Sequence, residues 1–156
     1  MSEGMQQMQS IQDIIKQFEG FQAHTYRCPG GYQTIGYGHR IYTNEELPTI
    51  RSEDDAATLL DADLTRISKG IAKLIVTPLT LGQHAALLSF TFNVGVAALE
   101  RATLRHKINH DETLAAADEF PKWCWSRGHK LPGLLKRRYV EQDLFLSHLP
   151  VENDFF

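Results

Sequence analysis

Residues 18–40 read FEGFQAHTYRCPGGYQTIGYGHR, and the rest of the chain is read outward from them. Just before this stretch, Ile11, Ile14, Ile15 and Phe18 fall at i, i+3, i+4 and i+7. That spacing places four apolar side chains on one face of a helix. It predicts a short amphipathic helix ending near Glu19, with Gly20 as its stop. Beyond Gly20 the composition shifts to Tyr, Thr and Gly, and Pro29-Gly30-Gly31 marks a tight turn between two short strands. No other part of the chain predicts β-structure.

Further along, the patterning is helical. Ser52 with Asp55 three residues on is a variant capping box. Ala56, Leu59, Leu60, Leu64 and Ile67 then form an apolar stripe to about Lys69, with Gly70 as an interruption. Thr77-Pro78 breaks the chain, and Thr80-x-x-Gln83 is a full capping box. It opens LGQHAALLSFTFNVG at 81–95. A helix apolar on most sides belongs in the core, and Gly95 is expected to end it. Shorter helices are expected over about 96–99, 103–109 and 112–120, the last capped by Asp111 and broken by Pro121. Trp123, Cys124 and Trp125 lead into a Gly/Pro loop at 126–133. A final helix is expected from about Leu134 to Ser147, with Leu135, Tyr139, Leu144 and Phe145 partly buried. A frayed tail is expected at 150–156. The outline is α+β, mostly helical with a small β-hairpin region, and not a series of βαβ units.

Composition bounds the function. The chain has 156 residues, 42% hydrophobic and 22% charged, which suits one folded domain and excludes global disorder. Two cysteines exclude a disulfide-rich scaffold. No run of 18 apolar residues exists, so no membrane span is expected. Residues 1–10 lack the basic and apolar regions of a signal peptide. A net charge of −3 gives no indication of a nucleic-acid partner. The charge is uneven, however. Glu45, Glu46, Glu53, Asp54, Asp55, Asp61 and Asp63 crowd 41–65, while Lys122, Arg127, Lys130, Lys136, Arg137 and Arg138 occupy 121–140 without an acid. The basic run admits two readings, a solvated helix face or a wall for an anionic partner.

Glu19 is the first residue with chemical interest. Phe18 and Phe21 flank it, and a carboxyl shielded by apolar neighbours and a hairpin can act as a general acid. Glu19, Cys28 and Thr34 stand as E-x8-C-x5-T, and Thr34 opens TIGYGH at 34–39. In this the chain resembles the phage-type lysozymes (endolysins), the glycoside hydrolase family that includes the T4 phage enzyme. That family reads E-x8-D-x5-T, with T-[IV]-G-[YI]-G-H after it. The resemblance extends over residues 10 to about 148, through the 79–95 helix and through KWCWSRGHKLPGLLKRR at 122–138.

The resemblance implies a two-lobed domain over 1–156 with a cleft between its lobes. A small β-containing lobe spans about 20–52, and a linking helix about 53–69. A helical lobe spans about 70–149 and includes the N-terminal helix. It implies hydrolysis of the β-1,4 bond between N-acetylmuramic acid and N-acetylglucosamine in peptidoglycan, leading to host lysis. Glu19 takes the role of general acid, and Thr34 that of holding the attacking water. Cys28 stands where the family has Asp, as in a Glu-Cys-Thr branch. Three roles stay open for it: water-orienting thiol, thiolate stabiliser or covalent nucleophile. The inverting chemistry of the family favours the first two.

Other positions follow from the same alignment. His39 and Asp63 are expected to form a structural ion pair that raises the His39 pKa. Arg137 or Arg138 is expected to pair with Glu19. Tyr37, Phe92, Asn93, Trp125 and Arg137 are candidate substrate contacts, although a Trp is as often plain core. A Cys28–Cys124 disulfide would remove the cleft thiol. No cofactor or metal is expected, and a monomer is expected. The resemblance implies storage in the host cytoplasm until a membrane pore such as a holin releases the enzyme to the cell wall. Three rival readings are a lytic transglycosylase leaving 1,6-anhydro products, a non-catalytic cell-wall binding module, and a zinc amidase. The last would draw on His24, Cys28 and His39, without an HExxH or CxxC pattern to support it.

Overall fold

The computed structural model describes residues 2–147. The first helix, α1, spans Glu3–Glu19 and begins well before the predicted apolar stripe. Ile11 and Ile15 are buried, and the helix stops where Gly20 turns to φ +67° and donates its N–H to the Lys16 carbonyl at 2.9 Å. Three antiparallel strands follow in sequential order: β1 (Gln22–Arg27), β2 (Gln33–Gly36) and β3 (His39–Arg40). Thr34 pairs with Arg40 and Ile35 with His39, so Ile35 and His39 face the protein interior together.

The α2 helix spans Glu53–Leu74. Ser52 Oγ accepts the Asp55 N–H at 3.2 Å, and Asp55 Oδ2 accepts the Arg51 N–H at 2.8 Å. The expected end near Lys69 is too early by more than a turn. Gly70 does not interrupt the helix; a Cβ there would meet Val96 Cγ2 at 2.9 Å, so the glycine serves close helix packing. The predicted capping box is present in both halves at the start of α3 (Leu81–Val94). Gln83 N–H donates to Thr80 Oγ1 at 3.1 Å, and Thr80 N–H donates to Gln83 Oε1 at 3.0 Å. Residues 85–91 are all buried, and α3 forms the axis on which α1, α2 and the last helix pack.

Short helices α4 (Val96–Arg101), α5 (Thr103–Asn109) and α6 (Thr113–Ala117) continue the chain. The single helix expected at 112–120 is instead α6 followed by a 3-10 turn at Phe120–Lys122. Asp111 does not cap it. This residue sits at φ +58° in the turn that closes α5, and Glu112 occupies the cap position without a side-chain bond. Pro121 has no N–H for an α-helical ladder, and the tighter turn seats Phe120 fully in the core.

The loop expected at 126–133 contains a small hairpin, β4 (Trp125–Ser126) and β5 (His129–Lys130). Its turn places Arg127 at φ +50° and Gly128 at φ +78°. An arginine in the left-handed position hides the usual turn signal. The last helix, α7, spans Pro132–Leu146 and starts on proline, which suits a first-turn position. Its buried face differs from the expected one. Phe145 is buried and Leu135 and Leu144 partly so, but Tyr139 is exposed. Arg137, Arg138 and Glu141 take the interior instead. The tail at 150–156 lies outside the described residues. Among them, no helix is long and apolar enough to cross a membrane.

The α3–α7 contact is tight where Gly82 meets the end of α7. A Cβ at Gly82 would lie 2.5 Å from the Leu144 carbonyl oxygen and would also strike Ser147 Oγ. Gly→Ala within a helix normally stabilises by about 1 kcal/mol. Here the sign reverses: G82A is expected to destabilise by about 1–3 kcal/mol, read as a lower midpoint in thermal melting.

Candidate active site

Helix α1 ends on Glu19, and the β2–β3 turn brings the backbone of Gly38 against its carboxyl group. Gly38 has φ +75°, and a Cβ there would sit 2.8 Å from Glu19 Cδ and Oε2. No other residue type leaves this space or adopts this φ without strain. Gly36, at φ +66°, similarly lets β2 approach Ala56 on α2. The two glycines of TIGYGH therefore have separate duties. One admits the carboxylate, and the other admits the long helix.

The opposite oxygen of Glu19 is held from α7. Arg137 Nη1 donates to Glu19 Oε1 at 2.7 Å, with Arg137 only 4% exposed. The Arg137 guanidinium also lies 4.9 Å from the centre of the Phe18 ring. It donates through Nη2 to the Ser89 carbonyl at 2.9 Å and through Nε to Glu141 Oε1 at 3.2 Å. Ser89 Oγ donates to the same Glu141 oxygen at 2.8 Å. Arg138 Nη1 donates to Glu141 Oε2 at 2.5 Å, its Nε to the Trp123 carbonyl at 2.9 Å, and its Nη2 to Asn93 Oδ1. Of the two arginines expected near Glu19, it is Arg137 that reaches it.

Glu19, Cys28 and Thr34 line one cleft of about 560 Å3 together with Phe92 and Asn93. Thr34 is buried, and its Oγ1 donates to the Tyr32 carbonyl at 3.0 Å. Cys28 is partly exposed and Cys124 buried, both as free thiols. Tyr26 is a neighbour that sequence reasoning missed. Burial, then the charges of Glu19 and Cys28, raise its phenol above the ordinary tyrosine pKa.

Three candidate contacts do not line the cleft. Tyr37 is buried beside Phe21, ring centres 5.7 Å apart, and does not line it. Trp125 is 62% exposed on β4 and does not line it either. Its hairpin instead reaches the Pro29–Gly31 turn: Ser126 Oγ donates to the Pro29 carbonyl at 3.5 Å, and Arg127 lies against Gly31. Arg137 lies beneath the cleft wall and holds Glu19 rather than lining the opening.

His39 Nδ1 lies 2.7 Å from Asp63 Oδ2, the pair expected from the sequence. A second carboxylate was not expected: Glu45 Oε1 lies 2.6 Å from His39 Nε2, and Glu45 Oε2 accepts the Tyr42 N–H at 3.1 Å. Burial alone would lower the His39 pKa. Hydrogen bonds and charge from Asp63 and Glu45 outweigh it and hold the imidazole above its ordinary value. Glu45 is shifted down: its own burial acts upward, and the Tyr42 N–H and His39 overcome it. Arg66 Nη2 also approaches Asp63 Oδ1 at 3.5 Å.

Residues 16–141 match the Phage lysozyme family. The chain belongs to that family. It is 40% identical over 138 residues to an endolysin of Bacillus phage B103, covering 86% of this chain and 52% of that protein, so it spans about half the relative's length. An endolysin of Acyrthosiphon pisum secondary endosymbiont phage 1 is 34% identical over 138 residues, covering 86% of this chain and 93% of its own. Among solved structures, the muramidase domain of SpmX from Asticaccaulis excentricus superposes with a TM-score of 0.77 at 32% identity, covering 89% of this chain and 96% of that one. The matched span contains Glu19, Cys28, Thr34 and both arginines of α7.

Two outcomes test this geometry. G38A puts a methyl group where the Glu19 carboxyl lies, so Glu19 must leave Arg137. The expected cost is about 1–2 kcal/mol from the left-handed backbone alone, with a larger proportional loss of wall-lysing activity than of melting temperature. The His39 contacts set a pH window. Because the folded pKa is raised, their stabilisation is full below the unfolded value of about 6.5 and fades as pH rises through the folded one. The difference in thermal stability between the native protein and D63N should therefore be largest in mild acid and shrink towards alkaline pH, with the His39 titration by NMR lying above that of a free histidine.

Proposed function

We propose that this chain is an endolysin, a muramidase that hydrolyses the β-1,4 bond between N-acetylmuramic acid and N-acetylglucosamine of peptidoglycan. The observation that carries the reading is the convergence of Glu19, Cys28 and Thr34 on one cleft within a phage lysozyme fold. Glu19 is the general acid. Its Oε1 is occupied by Arg137, so the oxygen beside Gly38, Oε2, is the one placed to carry and hand over the proton. The proton goes to the glycosidic oxygen as the bond to the anomeric carbon breaks.

Thr34 spends its own hydrogen on the Tyr32 carbonyl, which leaves Oγ1 as an acceptor. A water donating to Oγ1 keeps a lone pair for the anomeric carbon, and the proton it sheds on forming the new C–O bond passes to bulk water, which reprotonates Glu19. Cys28 on the same cleft either takes a second contact to that water or stabilises the developing positive charge as thiolate. With a bound water as nucleophile the product anomer inverts. Phe92 and Asn93 serve the sugar chain from the α3 side. The cleft is read as lying between a small lobe, about 20–52, and a helical lobe that begins near residue 70 and includes α1, with the α2 helix linking them. The protein works as a monomer, held in the host cytoplasm until a holin pore admits it to the wall.

E19Q keeps the shape and hydrogen-bonding capacity of the side chain but has no acidic proton. It is expected to lose about 10²–10⁴-fold of activity in turbidity assays on permeabilised Gram-negative cells, with its fold intact. NMR of the first products should show the α-anomer at a reducing muramic acid. A retained β-anomer would point to Cys28 as nucleophile, and a 1,6-anhydro product to a transglycosylase. Full activity of E19Q would end the assignment.

A further inference from the structure

The sheet carries one more polar side chain on its cleft face than the mechanism uses. Residues directly opposite on antiparallel strands share a face, and so do residues two apart along one strand. Tyr26 of β1 stands opposite Thr34 of β2, and Thr34 opposite Arg40 of β3. The ladder runs on past β1, because Cys28 N–H donates to the Tyr32 carbonyl at 3.0 Å. Tyr26, Cys28, Tyr32, Thr34 and Arg40 therefore share one face. The last four line the cleft, and Tyr26 completes the row, half-buried beside Thr34. Burial, then the charges of Glu19 and Cys28, keep its phenol protonated. It is therefore a hydrogen-bond donor.

Counting donors separates Tyr26 from its neighbours. Thr34 gives its hydrogen to the Tyr32 carbonyl. Arg137 spends its N–H groups on Glu19, Glu141 and Ser89. The Tyr26 O–H has no hydrogen-bond partner among the described residues, and neither has the Cys28 sulfur. An uncommitted donor thus stands two residues from an uncommitted acceptor on one face. Their backbones are about 7 Å apart, a span that a tyrosine side chain covers. A thiol accepts hydrogen bonds weakly, whereas an ionised acceptor makes the strong ones. The bond is not made in the free protein; catalytic hydrogen bonds are often long there and close in the substrate complex. The other charges facing this region are Glu19 of α1, held by Arg137 of α7, Arg40 of β3, and Arg127, which lies against Gly31 from the β4–β5 hairpin. Phe92 and Asn93 of α3 bring no charge.

We propose that Tyr26 is a positioning residue of this site, its phenol O–H donating to the Cys28 sulfur and holding it as a thiolate toward the water on Thr34. The water then donates one hydrogen to Thr34 Oγ1 and the other to the sulfur, and keeps a lone pair for the anomeric carbon. This chooses among the roles open to Cys28 and rests on the muramidase reading above. The test compares the native protein with Y26F, which keeps the ring and its packing and loses only the O–H. Three quantities are read: kcat and KM from new reducing ends on peptidoglycan, iodoacetamide labelling of the Cys28 peptide across pH, and thermal melting. Y26F is expected to lose kcat about tenfold, the effect of one lost charge-assisted hydrogen bond, with KM and melting unchanged. The pH at which Cys28 becomes reactive is expected to rise by about one unit, the same tenfold effect on the thiolate. A native kcat in Y26F overturns the proposal. So does a reduced kcat with an unmoved Cys28 profile, which would place the phenol on Glu19 or on the substrate instead. If the native protein releases no reducing ends, the muramidase reading fails, whereas the Cys28 profile still tests the Tyr26 contact.

Discussion

The site depends on a carboxylate that never meets water. Glu141 is 0% exposed, with Arg138 on one oxygen and Arg137 and Ser89 on the other. Taking such charges out of water costs several kcal/mol per ion, and an apolar replacement of similar volume is often as stable. What the apolar version would lose is direction. Arg137 is aimed at Glu19 because its remaining donors are already committed to Glu141 and the Ser89 carbonyl. Arg138, through Asn93 and the Trp123 carbonyl, fastens the same helix to the end of α3 and to the 3-10 segment. One buried carboxylate thus locks α7 in register against α3, and α7 in turn presents a cation to the end of α1. Removing it alone would leave two arginines buried and unpaired, the costly way to break such a network.

Against this fixed wall, the sheet supplies the other half of the site through period-two geometry. Across 34–39, Thr34 faces the cleft, Ile35 the core, Gly36 the α2 helix, Tyr37 Phe21, Gly38 the Glu19 carboxyl and His39 its two acids. Each position has a different neighbour, and a one-residue slip would exchange all of them. The His39 contacts with Asp63 and Glu45 pin the last strand to α2 and to the loop after it. The placement of Thr34 therefore rests on a titratable contact some distance from the chemistry.

Much of this could be read from the chain, in proportion to how local the cause was. The α3 capping box, the Gly20 stop and the Pro29-Gly30-Gly31 turn are set by neighbours within a few residues. The His39–Asp63 pair and the Arg137 contact came from a resemblance, not from periodicity. Failures occurred where a distant contact outweighed the local signal. Gly70 reads as a breaker, but Val96 packs on it and α2 continues. Arg127 does not read as a left-handed turn residue, yet it closes β4–β5. The resemblance makes Tyr37 and Trp125 candidate substrate contacts, whereas one is packed beside Phe21 and the other stands clear of the cleft. Nothing local marks Glu141 as the centre of the buried network, although its spacing after Arg137 and Arg138 is the i+4 and i+3 of a helix.

By itself the sequence determined the α+β class, most of the helices, the turn that makes the hairpin, and the Glu19, Cys28 and Thr34 set at its spacing. These follow from periodicity, capping chemistry and a motif contained in about twenty residues. Only the tertiary structure decided which arginine meets Glu19, that Glu45 is the second partner of His39, and that α7 turns charged residues inward. The physical reason is the same in each case. Spacing along a chain sets which side chains share a face, but the choice among several arginines and acids is made by burial, where a charge settles only beside a partner brought in from another element.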